Sequence, residues 1–123
     1  MASRILLVED LEVNADMLTR RLTKRGYAVT LAQDGQQAIA MAHSEQPDLI
    51  LMDVGLPLID GYEATRRIKA DASTAHIPVI ALTAHAMSTD RDEALAAGCA
   101  DFESKPIDLA SLITTIERVL QGI

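Results

Sequence analysis

The sequence predicts an α/β protein, a doubly wound five-stranded parallel sheet of order 2-1-3-4-5 with helices on both faces. Three observations carry that prediction. Short apolar runs alternate with longer amphipathic segments along the 123 residues, and strands that alternate with helices imply a covered parallel sheet. The run Leu49-Ile50-Leu51-Met52 is continuously apolar, as a strand buried on both faces is. Glycines and capping carboxylates (Gly26, Asp34, Gly98, Asp108) punctuate the amphipathic segments where helices should start or stop.

Ile5 to Val8 reads as the first strand. Val13 to Arg25 reads as a helix with Leu18 and Leu22 on one face and Gly26 as its stop. Tyr27 to Leu31 is the second strand. Asp34 caps the next helix, with Gln37 three residues on as a capping box requires, and that helix ends before Pro47. Leu49 to Met52 is the third strand. Tyr62 to Ala70 is a helix with Arg66, Arg67 and Lys69 on its outer side. Pro78 opens the fourth strand, Val79 to Leu82. A helix from Ser88 stops at Gly98, and its Asp90, Arg91, Asp92 and Glu93 form a solvated face. Asp101 to Glu103 is a short fifth strand. Asp108 caps the last helix, whose inward stripe is Leu109, Leu112, Ile113, Ile116 and Leu120. Crossovers in such a sheet are right-handed. Residues 1–123 are expected to form one domain, without repeat or linker, large enough for a core that needs no disulfide or metal staple.

The formal charge is −7, aromatic residues make up 2% of the chain and Trp is absent. That argues against a stacking surface for single-stranded nucleic acid and against DNA or an anionic membrane as direct partners. Cys99 is the only cysteine, so no internal disulfide forms. It reads as a small buried residue in a reducing, cytoplasmic setting. Neither a signal peptide nor an apolar stretch long enough for a bilayer is visible.

The topology carries the functional argument. Strands 1 and 3 become neighbours, and ligands bind at carboxyl ends beside such a switch point. Glu9 and Asp10 end strand 1, Asp53 ends strand 3, Thr83 ends strand 4 and Lys105 follows strand 5. All fall on one edge of the sheet. Clustered carboxylates repel one another, and a divalent cation relieves that repulsion. An oxygen-rich site suits magnesium, with manganese as the alternative. A carboxylate, a divalent cation, an ammonium and a hydroxyl are the parts of a phosphoryl-transfer site, in which a carboxylate can itself be the nucleophile. His43, His76 and His85 lack metal-ligand spacing.

Val8-Glu9-Asp10, Leu51-Met52-Asp53, Leu56-Pro57 with Asp60-Gly61, Ala81-Leu82-Thr83-Ala84 and Ser104-Lys105-Pro106 together resemble the signature of response-regulator receiver domains, over essentially the whole chain. The resemblance implies a flavodoxin-like (βα)5 fold with Asp53 as phosphoacceptor. It implies that Glu9, Asp10, Asp53 and the Gly55 carbonyl hold magnesium, that Thr83 binds the phosphoryl group and that Lys105 pairs with it. It implies a cis Lys105–Pro106 bond and a switch linking Thr83 to Phe102. Phe102 stands where tyrosine is common, so that switch would be read through packing alone. The donor would be a histidine kinase or histidine-phosphotransfer protein, and the output a downstream target protein. Gly55 and His85 occupy positions that tune the lifetime of the phosphate in this family. Leu11 reads either as a docking contact or as a loop leucine folded over the sheet edge.

Three arrangements fit the resemblance: a stand-alone regulator, a relay intermediate, or the receiver of a hybrid kinase, which Ala84-His85-Ala86-Met87 loosely resembles. Two readings from other classes fit less well. A flavodoxin-like cofactor binder needs a phosphate loop after strand 1, where Glu9-Asp10 would repel phosphate. An aspartyl-phosphate phosphatase needs a second carboxylate where Gly55 stands.

Overall fold

The computed structural model describes residues 2–84 and 88–122. In chain order the elements are β1 (Arg4–Val8), α1 (Glu12–Lys24), β2 (Ala28–Ala32), α2 (Gly35–Glu45), β3 (Leu49–Asp53), α3 (Gly61–Ala70), β4 (Val79–Thr83), α4 (Ser88–Ala97), β5 (Asp101–Ser104) and α5 (Leu109–Leu120). The strands form one sheet of order β2-β1-β3-β4-β5, and every neighbouring pair is parallel. The doubly wound order expected from the sequence is the one found.

Successive side chains of a strand point to opposite faces, and the core divides accordingly. Leu6, Val8, Ile50, Met52, Val79 and Ala81 pack with Ala38, Ala42, Ala64, Ile68 and Ala94 of α2, α3 and α4. Ile5, Leu7, Leu49, Leu51, Ile80 and Leu82 pack with Leu18 and Leu22 of α1 and with Leu112, Ile113 and Ile116 of α5. Small alanines predominate among the helix residues on the first side and large aliphatics on the second. Two caps hold as read, Asp34 accepting from the Gln37 amide and Asp108 from Ala110 and Ser111, and Asp60 caps α3 by accepting from the Glu63 amide. Gln37 reaches back to the Gln33 amide, one residue before the cap.

Some boundaries shift for physical reasons. β2 starts at Ala28 because the Tyr27 amide donates to the Leu22 carbonyl and so closes the end of α1. β3 and β4 extend to Asp53 and Thr83, which places both polar groups inside the hydrogen-bonded ladder. Lys69 is not on an outer, solvated side. Its ammonium donates to the carbonyls of Ala75 and Ile77, and a Cβ built at Gly98 would stand 2.9 Å from its Cγ.

Gly61 opens α3 against the end of β3. A Cβ there would lie 2.3 Å from the Asp53 carbonyl oxygen and 2.7 Å from the Val54 Cα, both backbone atoms that cannot rotate away. Gly61→Ala is therefore expected to lower the unfolding free energy by about 2 kcal/mol or more, the scale of a forced backbone shift in a packed site. Urea titration of the two proteins measures it.

Candidate phosphoacceptor site

β1, β3 and β4 end together, and their last polar residues are pulled into the interior by the apolar residues before them. Glu9 follows β1 directly and is 1% exposed; Asp53, the last residue of β3, is 4% exposed; Thr83 is likewise buried. Asp10 is exposed beside them. Glu9, Asp10 and Asp53 offer ligand oxygens that all lie within 4.8 Å of one another. The N-cap of α1, Leu11, makes no side-chain cap bond.

Lys105 brings the opposing charge. Its Nζ stands 3.1 Å from Asp53 Oδ1 and 3.6 Å from Glu9 Oε1. Its own amide donates to the Thr83 carbonyl at 2.7 Å, so the ladder between β4 and β5 positions it. The Lys105–Pro106 peptide is cis. The Gly55 amide donates to Asp53 Oδ1 at 3.0 Å. A cleft of about 390 Å³ opens over these groups, lined by Asp10, Leu11, Asp53, Val54, Gly55, Thr83, Ala84 and Lys105. Leu11 is 57% exposed at its rim, so it does not fold over the sheet edge. His85, the other expected tuning residue, lies outside the described residues.

The electrostatics are lopsided. One ammonium faces three carboxylates, and Glu9 Oε2 is buried without a hydrogen-bond partner. Burial raises the Glu9 pKa to about 7, reinforced by its hydrogen bond and repulsion with Asp53, while Lys105 and the Leu11 amide oppose the rise. For Asp53, burial alone would push upward, but hydrogen bonds from Glu9, the Gly55 amide and Lys105 outweigh it and hold it below the usual range. Of the pair, Glu9 is thus the carboxyl whose charge is disfavoured and Asp53 the one whose charge is favoured. A hard divalent cation fits this donor set. It would supply the missing positive charge and a partner for the orphaned oxygen.

Phe102 lies on β5 in register with Ala81 of β4 and packs, half-buried, on the side of α3 and α4. Two features escaped the sequence reading. The Arg91 guanidinium of α4 stands over the Phe102 ring, 5.9 Å from its centroid. Gly61 lies against the backbone of the strand end that carries Asp53, a contact that Asp60-Gly61 hinted at only as a motif.

The Glu9 proton makes stability depend on pH. Its carboxyl titrates near 4.5 when unfolded and near 7 when folded, so the folded protein holds the extra proton in between. Stability of the metal-free protein should fall as pH rises through that window, by up to about 3 kcal/mol. Glu9→Gln should flatten the slope. Urea titrations in chelator between about pH 5 and about pH 8 decide it.

Comparison with known proteins agrees with this geometry. The family model for the response regulator receiver domain matches residues 5–117. Response regulator PleD of Caulobacter vibrioides is 43% identical over 119 residues, covering 97% of this chain but 26% of that protein. The chain thus spans about a quarter of the length of that relative. The receiver domain of sensor histidine kinase PA1611 from Pseudomonas aeruginosa superposes with a TM-score of 0.85 at 44% identity, covering 99% of this chain and 97% of that one. That structure carries a magnesium ion coordinated in the active site cleft. The receiver domain of Saccharomyces cerevisiae Ssk1, solved in complex with the histidine phosphotransfer protein Ypd1, superposes with a TM-score of 0.88 at 30% identity, covering 99% and 92%. A family match over most of the chain, on a sheet that gathers these carboxylates and this lysine at one edge, makes the protein a member of the response regulator receiver domain family.

Proposed function

We propose that the chain takes a phosphoryl group from a phosphohistidine onto Asp53 and later releases it by hydrolysis. The observation that carries this is Lys105 Nζ at 3.1 Å from an Asp53 carboxylate that lies within 4.8 Å of the ligand oxygens of Glu9 and Asp10. The Asp53 oxygen attacks phosphorus as the phosphorus–nitrogen bond to the donor imidazole breaks, and the imidazole leaves with a proton from solvent. Asp53 is ready for this because its carboxyl is held below the usual range and so stays ionised. Lys105 and the Gly55 amide, both on Oδ1, orient the carboxylate. Magnesium, or manganese in its place, held by Glu9, Asp10, Asp53 and the Gly55 carbonyl, would neutralise charge on the phosphoryl oxygens. Thr83 at the cleft wall would donate its hydroxyl to the phosphoryl group, and Lys105 would turn to pair with it. Water then attacks phosphorus, returning the Asp53 carboxylate and inorganic phosphate. Gly55 puts no side chain in the way of that water, and His85 is the further position proposed to set its access.

The same reading makes Thr83 and Phe102 the switch. A phosphate on Asp53 contacts Thr83 in one state only, which is the differential interaction a two-state shift requires. Phe102 has no hydroxyl to hydrogen-bond outward, so the output would travel through ring packing. The donor is a histidine kinase or histidine-phosphotransfer protein, the receiver of the signal a downstream protein, and the setting cytoplasmic without direct nucleic-acid or membrane binding. No described helix is long and apolar enough to cross a membrane. Whether the receiver works alone, relays the phosphate or belongs to a hybrid kinase follows from the length of the native gene product.

Incubation with magnesium and acetyl phosphate, followed by intact mass, should add one base-labile phosphoryl group to the wild type and none to Asp53→Asn. Lys105→Ala should slow labelling by about tenfold or more, the usual scale for losing a charge-stabilising donor. An unmodified wild type would sink the proposal. Beryllofluoride with magnesium should bind the wild type independently of any donor.

A further inference from the structure

Arg91 is the single cation in the sequence of α4. It is exposed. Three and four residues to either side of it stand Met87, Ser88, Ala94 and Leu95, none of them acidic. Asp90, Asp92 and Glu93 adjoin it in sequence, but residues one or two apart on a helix do not face each other. Among the described residues Arg91 has no ion-pair partner, whereas Arg66, Arg67 and Arg118 each reach a carboxylate. Its guanidinium lies instead over the Phe102 ring, 5.9 Å from the centroid. At that range a cation and a ring face attract.

The ring it covers shares a sheet face with Thr83. Phe102 is opposite Ala81, and Ser104 is opposite Thr83. Ala81 and Thr83 are two residues apart on β4 and so point to one face, the face on which Phe102 packs half-buried. Ala81 adds no more than a methyl group there.

We infer that Arg91 is a positioning residue for the switch: in the unphosphorylated protein it holds the Phe102 ring on the side of α4, and the ring leaves it when Thr83 is drawn to a phosphate on Asp53. This rests on the proposed switch role of Thr83 and Phe102. Phe102 has no hydroxyl to anchor it, so the cation is the polar hold on its outer face. A contact made in the resting state alone weights the equilibrium toward that state. Losing it should raise the active fraction by about two- to fivefold, the scale of a cation–π contact at an exposed site. A ligand that selects the active state should then bind tighter by the same factor.

Phe102 is the only phenylalanine of the chain, so ring-fluorinated phenylalanine supplied during expression labels this ring alone. Fluorine draws charge from the ring face and weakens its hold on a cation while adding little bulk. Beryllofluoride with magnesium stands in for the phosphoryl group. Its binding midpoint in the wild type should fall stepwise from one ring fluorine to three. In Arg91→Gln, which keeps the stem of the side chain without its charge, the midpoint should already be about two- to fivefold lower and should ignore fluorination. Arg91→Lys should restore the response. Without beryllofluoride, the fluorine resonance of Arg91→Gln should be displaced from that of the wild type toward the beryllofluoride-bound position, which both proteins share. Equal midpoints for wild type and Arg91→Gln, or fluorination acting alike on both, would overturn the inference. So would a wild type that acetyl phosphate labels but whose fluorine resonance beryllofluoride does not move. Failure of acetyl phosphate to label the wild type would count against the phosphoacceptor reading itself.

Discussion

Everything at the working end of this protein depends on two carboxylates that the sheet forces out of water. Glu9 and Asp53 end strands whose preceding residues are wholly buried, so neither can turn to solvent without dragging a core strand along. A buried charge without compensation is among the most expensive features a fold can hold. Compensation comes in three parts: a shared proton, one ammonium from the end of β5, and amides at Leu11 and Gly55. The two carboxyls and the ammonium come from different stretches of chain, so the site exists only when the sheet is assembled.

The surplus negative charge suits the site to a cation. A second lysine would reduce that surplus. A third buried carboxylate would raise the electrostatic penalty further. With Asp10 exposed and Glu9 and Asp53 buried, the cluster has an open side toward solvent and a closed side toward the core. Entry is then from the cleft that also carries Thr83 and Lys105.

Much of this was legible in the sequence because two rules act together. Parallel strands read as unbroken apolar runs, and doubly wound sheets put strands 1 and 3 side by side. Those rules bring Glu9, Asp10, Asp53, Thr83 and Lys105 to one edge. They do not say that Asp10 faces solvent while Glu9 sinks, because both follow the same strand and the chain's exit angle decides between them. Nor do they place Arg91 over Phe102, since that needs the pitch of α4 against β5. Lys69 misled for a related reason. Helical spacing put it with Arg66 and Arg67, but its long stem can lie along the surface while its head finds carbonyls.

Lys69 has a mechanical consequence. Its ammonium binds the carbonyls of Ala75 and Ile77, and its stem fills the space above Gly98. One side chain thus ties the end of α3, the segment leading into β4 and the turn into β5, all at the end of the sheet opposite Asp53. It acts as a strut across the base of the strands that carry Thr83 and Phe102.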